Sequence, residues 1–284
     1  MGFILGVIQA FLNALGNIFW KKSIHLANIS KGLFILYAKL VGLLFVISFS
    51  IFGLINYKIL IDWKAILGMI IVVSLWLITA FIKQGLLKFN KVSSILPFEN
   101  LAPLFTILMW YFLFHDSSVA SFLVSILTIF VVIIFSFDYK KFTFPKKVSL
   151  LIFQQFLFAL STIVMAFVLK KYNWPSVALL DVILSILILI IFTIKFSELK
   201  QFHKQKLDFY KYRFWAGFAG RTAYVISLFL ISDLWVVIST LLTFLTLGFI
   251  LIMGYFYLDD KPSKKDIILA IIVTCLVWLW IYFK

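Results

Sequence analysis

The stretch Lys91–Asp116 of the chain reads KVSSILPFENLAPLFTILMWYFLFHD. It is apolar and long enough to cross a bilayer as a helix, for which about 20 residues are needed. Glu99 and Asn100 interrupt it between Pro97 and Pro103, and a carboxylate at mid-depth costs roughly 2.5–3.5 kcal/mol. Because both prolines also remove backbone donors and loosen a helix, the pattern predicts a protein-lined cavity beside this segment, with the two prolines as its hinge.

The composition of the whole chain is typical of a membrane protein. Of its 284 residues, 64% are hydrophobic and the mean hydropathy is +1.13, whereas a soluble domain is about half apolar. The apolar runs are continuous, which favours a helical bundle over a β-barrel. The net charge of +15 comes mostly from basic residues between apolar runs, so we expect membrane lipid, and not nucleic acid, as a partner.

Ten apolar segments follow one another, most of them long enough to span a bilayer with some tilt. They are 2–20, 33–56, 65–87, 91–114, 118–137, 148–169, 176–195, 213–231, 233–257 and 266–283. The sequence therefore predicts an all-α integral membrane protein with ten transmembrane helices. A basic connector, 138–147, follows the fifth segment and divides the chain into two units, 1–137 and 148–284.

Two aromatic helix ends indicate that these units are related. Tyr111 precedes Asp116 by five residues at the end of the fourth segment, and Tyr255 precedes Asp260 by five at the end of the ninth. Because five spans is an odd number, the second unit would cross the membrane in the opposite sense. That is an inverted repeat, the plan of many secondary transporters. Chance similarity of two aromatic-rich helix ends is the alternative.

Short motifs near these ends point to a family. They are Ala102-Pro103-Leu104, Asp116-Ser117-Ser118, Asp260-Lys261-Pro262-Ser263 and the first-segment end Gly16-Asn17-Ile18-Phe19-Trp20-Lys21-Lys22. In them the chain resembles the EamA-type transporters of the drug/metabolite transporter superfamily. The resemblance implies two five-helix repeats and the transport of small metabolites, often outward, without ATP. The chain departs from that pattern in having Asp at both signature Glu positions and no proline in segment nine that matches Pro103.

The basic residues are distributed unequally between the two sides of the predicted bundle. Odd-numbered connectors and their flanks, with Arg213 counted among them, carry 19 Lys and Arg residues, and the other side carries five. The positive-inside rule then places connectors one, three, five, seven and nine in the cytoplasm, in what we expect to be the cytoplasmic (inner) membrane. The family resemblance implies the opposite orientation, with both termini inside.

Four ionisable residues lie within the predicted spans: Lys39, Glu99, Asp181 and Arg221. At a rise of about 1.5 Å per residue, Lys39, Glu99 and Arg221 lie roughly 9–12 Å from one side, and Asp181 about 8 Å from the other. We therefore predict that Glu99 pairs with Arg221 across the cavity, and that Arg221 offers its guanidinium to a substrate carboxylate or phosphate. A purely structural pair is the alternative, as is snorkelling for Lys39. We expect Asp181 to be a helix-end or interface residue.

Neutral side chains complete the predicted substrate site. They are Asn100, Trp76, Asn13, Asn17, Gln154 and Gln155. The last four lie in segments one and six, which are equivalent in the two units, and could line the path or form interhelical hydrogen bonds. Trp76 lies at mid-span and could stack on a flat substrate, with interface anchoring as the alternative.

The residue pattern indicates transport more than catalysis. The sequence contains no metal-ligand spacing, no nucleophile grouping and no Gly-rich phosphate loop, so we expect neither an enzyme nor a cofactor or metal. We predict a secondary transporter that moves a small amino-acid-like, zwitterionic or anionic metabolite by alternating access. A non-catalytic scaffold or lipid-scrambling protein is the alternative, and a lipid-modifying membrane enzyme a weaker one. Coupling to a proton or a counter-flowing substrate, and a monomeric or homodimeric state, are left open.

Overall fold

In the computed structural model, residues 2–90, 101–114, 119–136, 146–233 and 245–258 are described, with nine further positions: 95, 98, 263, 264, 267, 268, 271, 272 and 275. The five ranges hold nine α-helices: α1 (Gly2–Leu26), α2 (Lys31–Ile51), α3 (Trp63–Phe89), α4 (Leu101–Phe114), α5 (Val119–Ser136), α6 (Lys146–Leu169), α7 (Trp174–Phe192), α8 (Leu207–Asp233) and α9 (Leu245–Leu258). Two 3₁₀ segments, Tyr57–Leu60 and Phe196–Lys204, precede α3 and α8. The prediction of an all-α fold is thus confirmed over the described ranges.

Six of these helices are long and apolar enough to cross a membrane: α1, α2, α3, α6, α7 and α8. Their most apolar stretches have mean hydropathies of 1.2 to 2.7. The outer faces carry large exposed apolar side chains, such as Leu44 (69% exposed), Phe112 (65%) and Ile191 (68%). Lipid solvates such a surface as well as a protein core would, so the architecture is consistent with an integral membrane protein.

Side-chain caps set the start of three helices. Ser30 accepts a hydrogen bond from the Leu33 amide at α2, and Asp62 accepts one from the Lys64 amide at α3. Asn173 caps α7, with a proline in the first turn of that helix. Each cap satisfies a backbone donor that the helix leaves without an internal partner. Such caps are local signals that fix where a span begins.

The helices pack in pairs that are distant in sequence. The most extensive contact joins α1 to α8, and α1 also packs against α9. In the same way α6 packs against α3 and α4. Helix α2 contacts α7 and α8, and α3 contacts α7. Contacts between α1 and α3 and between α6 and α8 are small, so these four helices surround a central space.

Small residues allow a close approach between α1 and α8. A Cβ atom added to Gly16 would lie 3.3 Å from the backbone nitrogen of Gly220. Residue Gly217 faces α2, where an added Cβ would lie 3.4 Å from the Cα of Ala38. Backbones at this distance leave no room for larger residues, as is common between membrane helices.

Three helices begin or end at least five residues from their predicted bounds. Helix α1 continues to Leu26 and does not end at 20. Helix α8 begins at Leu207 and not at 213, so Arg213 lies well over one turn inside a helix rather than at its flank. Helix α2 ends at Ile51 and not at 56, before Gly53, whose φ of +65° is left-handed and suits glycine. Residues 138–145 of the predicted connector lie outside the described residues, as do Asp116 and Asp260.

Candidate functional site

A cavity of about 310 Å³ lies among α1, α3, α6 and α8, and α2, α4, α7 and α9 complete its wall. Eight residues that the sequence predicted as substrate-binding or as hinge line it: Asn13, Asn17, Lys39, Trp76, Gln154, Gln155, Arg221 and Pro103. Their role in binding stays a prediction. Glu99, Asn100 and Pro97 lie outside the described residues, and so does the predicted contact of Glu99 with Arg221.

Three charged side chains meet at the cavity wall and form what we call the Lys39–Asp181–Arg221 cluster. One carboxylate oxygen of Asp181, Oδ2, accepts from Lys39 Nζ at 3.2 Å and from Arg221 Nη1 at 2.6 Å. The three residues are only 5%, 3% and 7% exposed. They come from α2, α7 and α8, so the cluster joins three helices in the interior of the protein.

Further contacts hold the two cations in place. Arg221 Nη2 donates to the Ala178 carbonyl at 2.7 Å, and its guanidinium carbon lies 4.6 Å from the Tyr224 ring centroid. The amine of Lys39 lies 3.9 Å from the centroid of Trp76. Such cation–π contacts strengthen when the charge is removed from water. The aromatic rings therefore help to retain positive charge at the cavity wall.

The structure corrects one expectation about this cluster and argues against one alternative. Asp181 is not a helix-end or interface residue, because it is buried and paired with both cations. The amine of Lys39 does not snorkel toward the membrane surface, because Asp181 holds it inside. The depth estimate placed Asp181 on another level because it used backbone rise alone. Long basic side chains reach along the helix axis, and α7 packs against both α2 and α8.

Arg213 is a cavity-lining cation that sequence analysis had placed at the first position of the eighth predicted span and counted with the flanking basic residues. It is 0% exposed, and its Nε donates to the Phe34 carbonyl at 2.9 Å. Its guanidinium carbon lies 3.8 Å from the Phe34 ring centroid and 4.9 Å from that of Trp20. Nη1 and Nη2 have no hydrogen-bond partner in the part of the chain that is described. The spacing of eight residues to Arg221, slightly over two turns, was the signal that could have placed both on α8.

Neutral polar groups extend along the same wall. The side-chain oxygens of Gln9, Gln154 and Thr246 are buried and have no hydrogen-bond partner among the described residues. All three residues line the cavity. Gln154 was predicted, whereas Gln9 and Thr246 were missed. Buried polar atoms are normally paired, so these groups can accept from or donate to a molecule in the cavity.

A polar cluster joins the α2–α3 connection to the α6–α7 turn, outside the cavity. Asp62 accepts from Lys171 Nζ at 2.5 Å and from the Tyr172 hydroxyl at 2.8 Å. Asn173 Nδ2 donates to the Leu54 carbonyl at 2.9 Å. The hydrogen bonds from Lys171 and then Tyr172 lower the pKa of Asp62 to about 2. The Asp62–Lys171 contact is therefore ionised throughout the neutral range.

A second set of contacts lies at the opposite end of the same helices. The amide of Asn28 donates to Gln205 Oε1 at 3.0 Å, and Gln205 Nε2 donates back to the Asn28 carbonyl at 3.3 Å. Lys21 Nζ donates to the carbonyls of Leu87 and Asn90. The Asn28–Gln205 pair joins the α1–α2 connection to the segment before α8. Each end of the bundle thus has its own bridge between residues far apart in sequence.

Comparisons with known proteins assign no family to this chain. No family model matches it, and no curated protein matches it. One solved structure, described as "Crystal structure of protein", superposes with a TM-score of 0.49 at 13% sequence identity. The match covers 95% of this chain and 94% of that one. A TM-score below 0.5 does not establish a shared fold, and the match indicates no function.

Proposed function

We propose that this protein is a secondary transporter that moves a small amino-acid-like, zwitterionic or anionic metabolite across the membrane by alternating access. The observation that carries the proposal is the Lys39–Asp181–Arg221 cluster at the wall of the cavity. Ionisable residues inside membrane spans are costly and are usually retained for a substrate or ion pathway. The EamA resemblance favours export, and the cytoplasmic membrane is the proposed location.

A purely structural ion network accounts less well for these contacts. In a structural network we expect charges to balance, because an uncompensated buried charge is strongly destabilising. Here two cations share one carboxylate, and Arg221 Nε is buried without a hydrogen-bond partner among the described residues. The excess positive charge faces a cavity large enough for a small molecule. A scaffold protein would need neither feature.

The helix contacts support the proposal of ten helices in two inverted repeats, 1–137 and 148–284. In a ten-helix inverted repeat, each helix of the first unit corresponds to the helix five places later in the second unit, and the reverse. Under this correspondence the contact α1–α8 becomes α6–α3, and the contact α1–α9 becomes α6–α4. The correspondence also exchanges α2–α8 with α7–α3 and returns α2–α7 to itself. All of these contacts occur. A two-fold relation between five-helix units produces such a pattern, with the substrate site between them; the tenth helix would be 266–283.

The two polar bridges suit an alternating-access cycle. The Asp62–Lys171 contact and the Asn28–Gln205 contact each join the first proposed repeat to the second, at opposite ends of α2 and α7. Rocking of one repeat against the other would open one bridge while the other stays closed. Pro103 lies in the first turn of α4 and lines the cavity, and its role as a hinge remains part of the proposal.

The proposed orientation rests on the basic residues. With Lys83 and Arg213 moved into the cavity wall, 17 basic residues stay with the odd-numbered connectors, and five lie on the other side. The positive-inside rule then places the Asn28–Gln205 bridge on the cytoplasmic side. The variants Lys64→Cys and Lys204→Cys test this orientation. In intact cells, only the variant with its cysteine on the outer side would react with a membrane-impermeant thiol reagent.

Uptake by proteoliposomes tests the transport proposal. Labelled amino acids and organic anions are supplied with and without a pH gradient, for the wild type, Arg221→Ala and Asp181→Asn. Lys64→Gln is the matched control, because Lys64 is exposed. We expect both cluster variants to lose uptake and the control to retain it. Full uptake by Arg221→Ala would rule out the substrate role of this residue.

A further inference from the structure

We infer that the transported substrate is an organic oxyanion, with a carboxylate or phosphate group, and that Asp181 limits how many negative charges it carries. The inference rests on the proposed function, because the occupant of the cavity is taken to be the transported molecule. It adds the sign of the substrate charge and the residue that limits the number of negative charges on the substrate.

The sign follows from the charges on the cavity wall. Three buried basic residues line the cavity: Lys39, Arg213 and Arg221. Asp181 supplies the single carboxylate among its described lining residues. In a medium of low dielectric constant this excess attracts an anion and repels a cation. An oxyanion also suits the groups present, since a guanidinium offers a planar set of N–H donors to carboxylate or phosphate.

The position of Asp181 makes it an internal competitor of the substrate. Its Oδ2 occupies donors of both Lys39 and Arg221, which are the donors that a substrate oxyanion would use. Arg221 Nε stays without a partner within the described ranges. An entering anion therefore shares the two cations with Asp181. The Asp181 carboxylate cancels one positive charge, so the cluster accepts one negative charge fewer than its two cations would alone.

The rest of the wall suits the body of such a molecule. The Trp76 ring lies under the Lys39 amine and the Tyr224 ring lies under the Arg221 guanidinium. Both residues also line the cavity, as does Gln154 with its unpartnered side-chain oxygen. The aromatic faces would pack on an apolar or flat part of the substrate. The amide can hydrogen-bond a neutral polar group.

Matched anions that differ by one charge test the inference. The probes are butyrate with succinate and benzoate with phthalate, and lysine and choline serve as cations. Binding is measured as the ligand-dependent rise in the unfolding temperature of purified protein in phosphatidylcholine nanodiscs. We expect the anions to stabilise the wild type and the cations not to. Stabilisation by the cations alone, or by no anion of either pair, would overturn the inference.

Variants of the cluster test the role of Asp181. In Asp181→Asn we expect the affinity ratio of dianion to monoanion to rise about tenfold or more, because a unit charge beside the ligand is removed. Lys39→Gln removes the opposite charge and should lower the ratio, and it supplies a second test where Asp181→Asn does not fold. Asp208→Asn makes the same change at an exposed position and should leave the ratio unchanged. An unchanged ratio in either folded cluster variant would refute the role of Asp181.

Two further measurements are needed. One distinguishes a lipid headgroup from a free metabolite as the oxyanion, and the other distinguishes the transport proposal from the inference about substrate charge. Adding phosphatidylglycerol to the nanodiscs tests a lipid headgroup. If phosphatidylglycerol stabilises the protein and Asp181→Asn changes this stabilisation, the oxyanion is a lipid headgroup. If the soluble anions bind in nanodiscs that lack phosphatidylglycerol, the oxyanion is a free metabolite. If binding depends on charge but no flux occurs in proteoliposomes, the transport proposal is refuted and the inference about substrate charge is not. If a cation is transported, the inference about substrate charge is refuted and the transport proposal is not.

Discussion

Arg221 Nη1 lies 2.6 Å from Asp181 Oδ2, in the interior of a bundle whose outer faces are apolar. The pair joins α8 to α7, and Lys39 brings α2 to the same oxygen atom. Because one carboxylate binds two cations, removing the carboxylate and removing one cation have different effects. Loss of the carboxylate strands two charges, whereas loss of one cation leaves a balanced pair. Stability and transport should therefore respond differently to each substitution.

Asp181→Ala should destabilise the protein much more than Lys39→Met. The first change leaves two buried cations without a carboxylate, for which the expected cost is about 3–5 kcal/mol. The second change leaves the Asp181–Arg221 pair intact, and methionine can fill the space beside Trp76. The free energy of unfolding, measured in mixed detergent micelles, checks the difference. Equal losses for both variants would contradict the shared-carboxylate arrangement.

Arg213→Met should raise the stability of the protein and lower its transport activity. The guanidinium of Arg213 is fully buried, and within the described part of the chain its one hydrogen bond goes to the Phe34 carbonyl. Replacing a buried charged group by an apolar side chain of similar size is often neutral or stabilising by about 1–4 kcal/mol. The unfolding temperature and the uptake rate are measured together. Arg213→Lys, which keeps the charge, is the control, and a large fall in the unfolding temperature of Arg213→Met would refute the prediction.

The Asp62–Lys171 bridge should weaken only in strong acid. The pKa of Asp62 is lowered from 3.8 to about 2 by Lys171 and Tyr172. A lowered carboxylate pKa stabilises the folded state above the unfolded pKa of 3.8, and this contribution is lost as the pH falls through about 2. The difference in unfolding temperature between wild type and Asp62→Asn should therefore be constant near neutral pH. It should shrink below about pH 4. A difference that disappears between pH 5 and 7 would contradict the assignment.

Gly16→Ala should separate α1 from α8, whereas Gly220→Ala should be tolerated. A Cβ on Gly16 would lie 3.3 Å from the backbone nitrogen of Gly220, which cannot move aside as a side chain can. Overpacking of this kind typically costs about 1–3 kcal/mol. Among the described residues, apart from the backbone of α8 itself, no atom lies within 4 Å of a Cβ added to Gly220, and alanine favours a helix. Unfolding temperatures of the two variants check the contrast, and similar values for both would argue against this helix crossing.

Much of the candidate site could be predicted from single residues in their local context. Lys39, Trp76, Gln154 and Arg221 stood out because polar or aromatic groups are unusual deep in apolar segments, and all four line the cavity. The all-α fold followed from the length and continuity of the apolar runs. The helix start at Leu207 was missed because Lys206, Asp208 and Lys211 lower the local hydropathy. As a result, Arg213 was counted with the flanking basic residues and not with the cavity.

The sequence by itself determined which segments are helical and apolar, because the free energy of transferring a residue into lipid depends mainly on that residue and its neighbours. Only the tertiary structure decided which charges meet. Lys39 and Asp181 are 142 residues apart in sequence, and their contact depends on how α2 crosses α7. Burial favours a partner for each charge, but helix packing selects that partner, and it selected Asp181 for both Lys39 and Arg221.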